Sequence, residues 1–382
     1  MEDDFHEIID ISKMKICYLA NIRMPTEKAH GIQIMKTCEA LATEGHDITL
    51  FLSSRKNNIK KDIFEYYSVK DIFKVIYVPS LNILWLGKIG FYIQSFLFSE
   101  IAVWKLWKYR PDVIYSRDHI VLLNLILVFK NIFFEAHRAY DGLAIRLLLK
   151  KVKLITISHG LYDFYNKFSK QGYGGRIIPD AVSMEDFDIK LNKEEARNIL
   201  NLPNDKKIAL YCGHLYDWKG AQVLADASLS FNDGEIAVFV GGTDHDIELF
   251  RERNKSNKKI LILGHKDHKD IPLFLKSADV LVLPNSGKEM ISSHYTSPMK
   301  LFEYMASGVP IVASSLPSIR EILDDTMSVF VIPDDPHSLY TGIKRMLDNP
   351  SLSKELADNA YDKVKNMTWI NRAKAIISFI NS

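Results

Sequence analysis

The sequence predicts an α/β protein in which two parallel sheets are each covered by helices. Two observations carry that prediction. Short β-rich apolar runs alternate with longer helical patterns along nearly the whole chain, and the two halves open alike. Lys15-Ile16-Cys17-Tyr18-Leu19-Ala20 leads through a loop to Gly31, and Ile208-Ala209-Leu210-Tyr211-Cys212-Gly213 leads to Gly220. Each is a strand, a loop and a helix start, where unpaired backbone N–H groups and the helix dipole favour an anion. At 382 residues the chain is long enough for two such domains.

In chain order, apolar runs bounded by Gly, Pro, Asp and Asn predict strands at 15–20, 47–52, 74–78, 112–115, 131–135, 153–157 and 176–179. A second set is expected at 207–213, 235–241, 259–264, 279–284, 310–313 and 328–332. The polar stretch 183–193 suits an exposed linker and divides the chain into domains 1–182 and 183–367. Two helices close the sequence at 351–365 and 368–380, and 368–382 is expected to pack back on the first domain. The first thirteen residues are acidic, lack the basic-then-apolar order of a signal peptide, and read as a frayed tail.

Composition excludes several classes. Apolar residues make up 47% and charged residues 25%, the balance of a globular protein rather than a disordered or fibrous one. Lys+Arg number 49 against 47 Asp+Glu, so no global field favours a nucleic acid. Three cysteines, Cys17, Cys38 and Cys212, lie far apart with no CxxC, which fits reduced thiols and a cytoplasmic location. The longest apolar run, 120–129, is well short of the ~20 residues of a membrane span.

Three segments have the residue types of a reactive site. In Ser297-Pro298-Met299-Lys300-Leu301-Phe302-Glu303, Ser297 is expected as N-cap and Pro298 as first helical residue, with Gly308 and Pro310 ending the helix. The amides of Thr296 to Lys300 would then face a phosphate at the carboxyl edge of the sheet. Lys300 and Glu303 are three apart, a spacing that also suits an ordinary surface ion pair. In Tyr211 to Gly220, Lys219 stands before a helix, where its ammonium either reaches a diphosphate or is simply solvated. The strand ending Glu135-Ala136-His137 delivers an imidazole to a sheet edge, as a ligand contact or as a structural group. His30-Gly31 follows the first strand, and His265 and His268 sit in a lysine- and aspartate-rich turn that reads as solvated surface, with no metal site expected.

The block from Ser297 to Ser314, with Leu316 to Leu323 behind it, resembles the donor-site region of retaining glycosyltransferases of family 4, which have the GT-B fold. Gly213 to Gly220 is similar to that family's glycine-to-Lys-Gly phosphate loop, Gly241-Gly242 to its next strand end, and Gly45 to Thr49 to its first turn. The resemblance implies two Rossmann-like domains facing each other across a cleft. It also implies transfer of a sugar from a nucleotide-diphosphate sugar, UDP- or GDP-linked, to a glycan or lipid-linked acceptor in cell-surface polysaccharide or glycoconjugate synthesis. By the same resemblance Glu303 accepts hydrogen bonds from the ribose, Lys219 neutralises the departing diphosphate and His137 contacts the donor sugar. Gly31 lies in the loop facing the diphosphate, and the donor site takes in Gly213, His214 and the run Tyr295, Thr296, Ser297, Pro298, Met299 and Lys300. A front-face mechanism without metal or cofactor follows from the same source.

Two positions depart from the pattern. Eight residues before Glu303 stands Tyr295 instead of the first acid of Glu-x7-Glu, and Glu289 is the nearest acid upstream. His214 replaces the arginine that accompanies the phosphate lysine, which removes a bidentate fork. Residues 80–110 hold three of the five tryptophans together with Lys88, Lys105, Lys108 and Arg110. They suit either a helix at the inner face of a membrane or a core helix packed on the first sheet. A sugar-nucleotide epimerase of the same fold and a nucleotide-sugar-binding protein without catalysis are the alternative functions. A dehydrogenase is disfavoured because neither half has GxGxxG with an acid about twenty residues on.

Overall fold

Parallel strands buried on both faces read as continuous apolar runs, and those runs are the strands of the computed structural model, which describes residues 13–168 and 174–382. The acidic tail expected over the first thirteen residues lies, apart from Lys13, outside the described residues. The strands are β1 Lys15–Ala20, β2 Asp47–Ser53, β3 Lys74–Val78, β4 Val113–Ser116, β5 Ile132–Ala136, β6 Lys153–Thr156 and β7 Gly175–Ile177, then β8 Lys207–Cys212, β9 Glu235–Val240, β10 Ile260–Gly264, β11 Val280–Leu283, β12 Ile311–Ser314 and β13 Val329–Val331. Every expected strand is present, its ends within two residues of the predicted ones.

Two compact units result: one holds the chain through Glu135 together with Gly142–Lys153, the other Ala136–Asp141 and Leu154–Ser382. In the first, the strand order is β3-β2-β1-β4-β5, with β1 in the middle paired to β2 and β4. The helix Ala29–Thr43 follows β1. A Cβ on its Gly31 would lie 2.1 Å from the Tyr67 hydroxyl. That hydroxyl also accepts from the Thr26 amide (2.7 Å) and donates to the Thr26 carbonyl (3.1 Å). The close approach that glycine permits here is therefore made by Tyr67.

The helix Gly87–Tyr109 departs from the core reading of residues 80–110. Of its aromatic side chains only Phe98 is fully buried, while Tyr92, Phe96, Trp104 and Trp107 are exposed.

In the second unit six parallel strands run β10-β9-β8-β11-β12-β13, and β6 pairs with β7. The strand period of two is visible in β8. Ile208, Leu210 and Cys212 belong to one hydrophobic core, Ala209 and Tyr211 to the core on the opposite face. Helices therefore cover both faces, and β8, the central strand before the crossover to β11, opens at a switch point where ligands bind in such sheets.

Residues from β6 onward join this unit because of specific bonds. The Ser158 hydroxyl donates to the His294 carbonyl (2.9 Å), and the His159 amide donates to Glu321 (3.0 Å). The expected linker 183–193 is not a bare hinge. It forms the helix Met184–Phe187, buries Phe187 in the core with Val182, and ends where Asn192 and Glu195 build a capping box for the helix Lys193–Leu200. The terminal helix Trp369–Ile380 is fastened to the β7 exit, with Arg372 donating to the Pro179 carbonyl (2.9 Å) and Val182 bridging Thr368.

The start of β8 is held by an ion cluster. The Asp279 carboxylate accepts from the Ile208 amide (2.7 Å) and from Arg197 (2.6 Å), and Arg197 also donates to the carbonyls of Ser277 (2.8 Å) and Lys206 (3.0 Å). Burial pushes the Asp279 carboxyl up, but Lys193, the Ile208 amide and Arg197 outweigh it and hold it below its ordinary value. Removing the guanidinium strands a buried carboxylate and three carbonyl contacts, so Arg197→Ala is expected to cost about 3 to 5 kcal/mol. A denaturation midpoint equal to wild type would contradict that role.

Candidate active site

The site grows from the carboxyl end of β8, which is fixed by a buried phenol: the Cys212 amide donates to the Tyr304 hydroxyl at 2.8 Å. Tyr304 belongs to the helix Met299–Ala306, so this bond locks helix and strand in register. Gly213 follows with φ +148°, a backbone open mainly to glycine. A Cβ there would lie 3.5 Å from Lys300 Nζ. Gly220 is required on two counts, φ +73° and a Cβ position only 1.7 Å from the Pro284 carbonyl oxygen. The loop from Gly213 to Gly220 is thereby pressed against the exit of β11, where the Ser286 amide and the Ser292 hydroxyl both donate to the Trp218 carbonyl (3.1 and 3.2 Å).

Two lysines converge at this strand end. Lys219, in the single turn Asp217–Lys219, places its ammonium 3.9 Å from the Trp218 ring centroid. Loss of hydration lowers its pKa to about 8. Lys300 Nζ sits 4.2 Å from the Tyr211 ring centroid, buried and without a hydrogen-bond partner among the described residues. Desolvation first, and then the charge of Lys219, press it well below the ordinary lysine value. A buried and a half-buried cation of like sign side by side have the chemistry to receive an anion. The surface Lys–Glu pair that the spacing allows is not what forms. Glu303, 8% exposed, instead meets His268, whose Nε2 lies 2.9 Å from its Oε1.

His268 corrects the solvated-surface reading. Its turn folds inward onto the first part of the Met299–Ala306 helix, while His265 stays exposed. Among the described residues no group of three or more His, Cys, Asp or Glu forms a metal site. Ser297 and Pro298 also differ from expectation. Pro298 is the N-cap, without a side-chain capping bond, and Met299 begins the helix, because the Ser297 hydroxyl accepts from the Asp180 amide (3.1 Å) instead.

The other predicted residues fall as follows. Thr296 is half-buried beside Ser297, and Tyr295 packs edge-on to Phe164 at 5.7 Å, an apolar contact where the family pattern has an acid. Glu289 is exposed at the start of the short helix Met290–Ser293, its carbonyl accepting from the Ser292 and Ser293 amides. His214 stacks on Tyr216, rings 4.9 Å apart and 5° from parallel, and Tyr216 stacks in turn on Trp218. His137 follows β5 in the loop that Tyr165 fastens, its hydroxyl donating to the Arg138 carbonyl at 2.7 Å. Gly31 belongs to the first unit.

Sequence reasoning missed Asn285, fully buried just after β11 with both amide atoms unpartnered among the described residues. Its only sequence signal is its place one residue past Pro284, at the sheet edge.

Two parallel Rossmann-like sheets with a cationic strand end define the GT-B architecture, and comparison with solved structures agrees. Sucrose-phosphate synthase from Thermosynechococcus elongatus superposes with a TM-score of 0.80 at 18% identity, covering 97% of this chain and 98% of that one. Anabaena HepE, solved in complex with UDP and glucose, gives 0.76 at 15% identity over 97% and 100%. Residues 192–363 match the family model described as Glycosyl transferases group 1. A curated relative named as a teichuronic acid biosynthesis glycosyltransferase, TuaC of Bacillus subtilis, is 26% identical over 213 residues, 56% of this chain. That match spans about half, 51%, of the relative's own length.

The Tyr304 bond yields a direct prediction. Tyr304→Phe leaves the buried Cys212 amide without an acceptor and should cost about 1 to 3 kcal/mol. Chemical denaturation checks it, and an unchanged midpoint would show that the strand end is not held this way.

Proposed function

We propose that the chain transfers a sugar, with retention and without a metal, from a nucleotide-diphosphate sugar to a glycan or lipid-linked acceptor in the synthesis of a cell-surface polysaccharide or glycoconjugate. One observation carries the reading: Lys219 and Lys300 stand desolvated at the end of β8 with no anion between them. A diphosphate satisfies both. Its charge grows as the glycosidic bond breaks, so these ammonium groups bind the transition state more strongly than the ground state. That is the work a metal ion would otherwise do, and it supports the metal-independent reading.

Glu303 suits the ribose. A carboxylate only accepts hydrogen bonds, and with Oε1 engaged by His268 the second oxygen is the one proposed to accept from the ribose hydroxyls. The base is proposed to lie by the stacked His214, Tyr216 and Trp218 loop, and His137 to contact the transferred sugar. HepE was solved with UDP, which favours uridine among the donors. The one carboxylate in this cluster is tied to an imidazole, and that supports a front-face path in which the leaving phosphate takes the acceptor's proton. A lipid-linked acceptor would bring the chain to the inner face of a membrane.

Lysines that are costly to desolvate and useful only with ligand give an opposed pair of effects. Lys300→Met should lower donor turnover, measured as hydrolysis of UDP-sugars with water as acceptor, by about 10²- to 10³-fold. Its melting temperature without ligand should equal or exceed wild type. Wild-type hydrolysis in that variant would remove Lys300 from the site, and conversion of the donor to its epimer without cleavage would favour the isomerase.

A further inference from the structure

The helix Gly87–Tyr109 leaves large apolar side chains in water on its outer face. Its buried face carries Gln94, Ser95 and Ser99, each 0% exposed, beside Phe98, Ala102 and Leu106. Gln94 donates to Asn21 (2.7 Å) and Ser80 and accepts from Arg55, Asn21 donates to Ser95 (3.0 Å), and Asn124 donates to Ser99 (2.6 Å). Turning the helix to hide its aromatic side would break this buried network, so the orientation is fixed. The outward face then presents Ile89, Tyr92, Phe96, Trp104 and Trp107, with Trp85 in the turn just before. Exposure reaches 80% at Trp85 and 65% at Trp107. Positions 89, 92 and 96, and then 104 and 107, are three or four residues apart, the two groups separated by the exposed Glu100, and together they span ~27 Å along the helix.

We propose that this face docks on an anionic lipid surface. The charges interleaved with the rings choose that occupant. Lys88, Lys105 and Lys108 are set among them, and Lys108 Nζ lies 3.7 Å from the Trp104 ring centroid. Glu100, the one acid of the helix, is engaged by Asn124 at 3.3 Å. A second copy on the same face would set lysine against lysine, whereas acidic headgroups neutralise them while the rings sink to the interface. The role of the docking rests on the lipid-linked acceptor proposed above, but the docking itself requires no sugar transfer.

Cosedimentation of the full chain with large vesicles of phosphatidylcholine, with or without phosphatidylglycerol, tests it. Wild type should bind the anionic vesicles, bind the neutral ones more weakly, and release as salt rises. Lys88→Glu/Lys105→Glu/Lys108→Glu should lower partitioning by about a hundredfold or more, taking about fivefold per lysine. Trp104→Ser/Trp107→Ser should lower it at least about tenfold. Both variants should keep the wild-type melting temperature and vesicle-free donor hydrolysis. Wild type that ignores anionic vesicles at low salt overturns the proposal, as do variants that bind like wild type. A dimer lost in the tryptophan variant, without vesicle binding, assigns the face to a second copy and also overturns it. Vesicle binding in a protein that hydrolyses no donor would defeat the transferase reading and leave the docking intact.

Discussion

Two ammonium groups of like sign, Lys300 Nζ buried and Lys219 half-buried, gather at the end of one strand and raise the free energy of the folded chain until an anion joins them. Much of the second unit serves to hold them there. β8 is clamped at its start by the Asp279 and Arg197 cluster and at its end by the Tyr304 hydroxyl. Gly213 takes a backbone conformation open mainly to glycine beside Lys300, and Gly220 lets the Lys219 loop lie against the Pro284 carbonyl. Each clamp draws on burial and hydrogen bonding elsewhere, so the cost at the site is met by the two cores that flank the sheet.

The same logic explains the neighbouring carboxylate. Glu303 is one helical turn from Lys300, yet it is bonded to His268 and leaves the lysine without a hydrogen bond. A direct pair would have neutralised that cation. Diverting Glu303 to an imidazole keeps a hydrogen-bond acceptor and a cationic donor side by side, the pair that the proposed nucleoside diphosphate calls for.

Strands and their order of appearance were legible because each is a continuous apolar run between turn residues, and burial on both faces leaves that signature in the chain itself. The phosphate loop and the Met299–Ala306 helix were legible for a similar reason, their glycines and prolines marking local backbone needs. What escaped was set by remote partners. His268 reaches Glu303 across thirty-five positions, Ser297 leaves its cap for Asp180, and Tyr67 fills the space beside Gly31. The aromatic helix is the sharpest instance. Its composition suited both core and interface, and Asn21, Arg55 and Asn124, from three other segments, bond the face that turns inward beside Phe98, Ala102 and Leu106.

The pair of desolvated lysines is tested most directly by counting protons. Lys219, its pKa lowered to about 8, holds its proton only about half the time at pH 8, and burial presses Lys300 in the same direction. A bound diphosphate restores both charges, so binding must draw protons from the buffer. Calorimetric titration of UDP at pH 8, repeated in buffers of different ionisation enthalpy, should show uptake of at least about half a proton per UDP bound. Binding with no proton uptake would mean that the two lysines are already charged, or stand elsewhere, and the account of the site would fall.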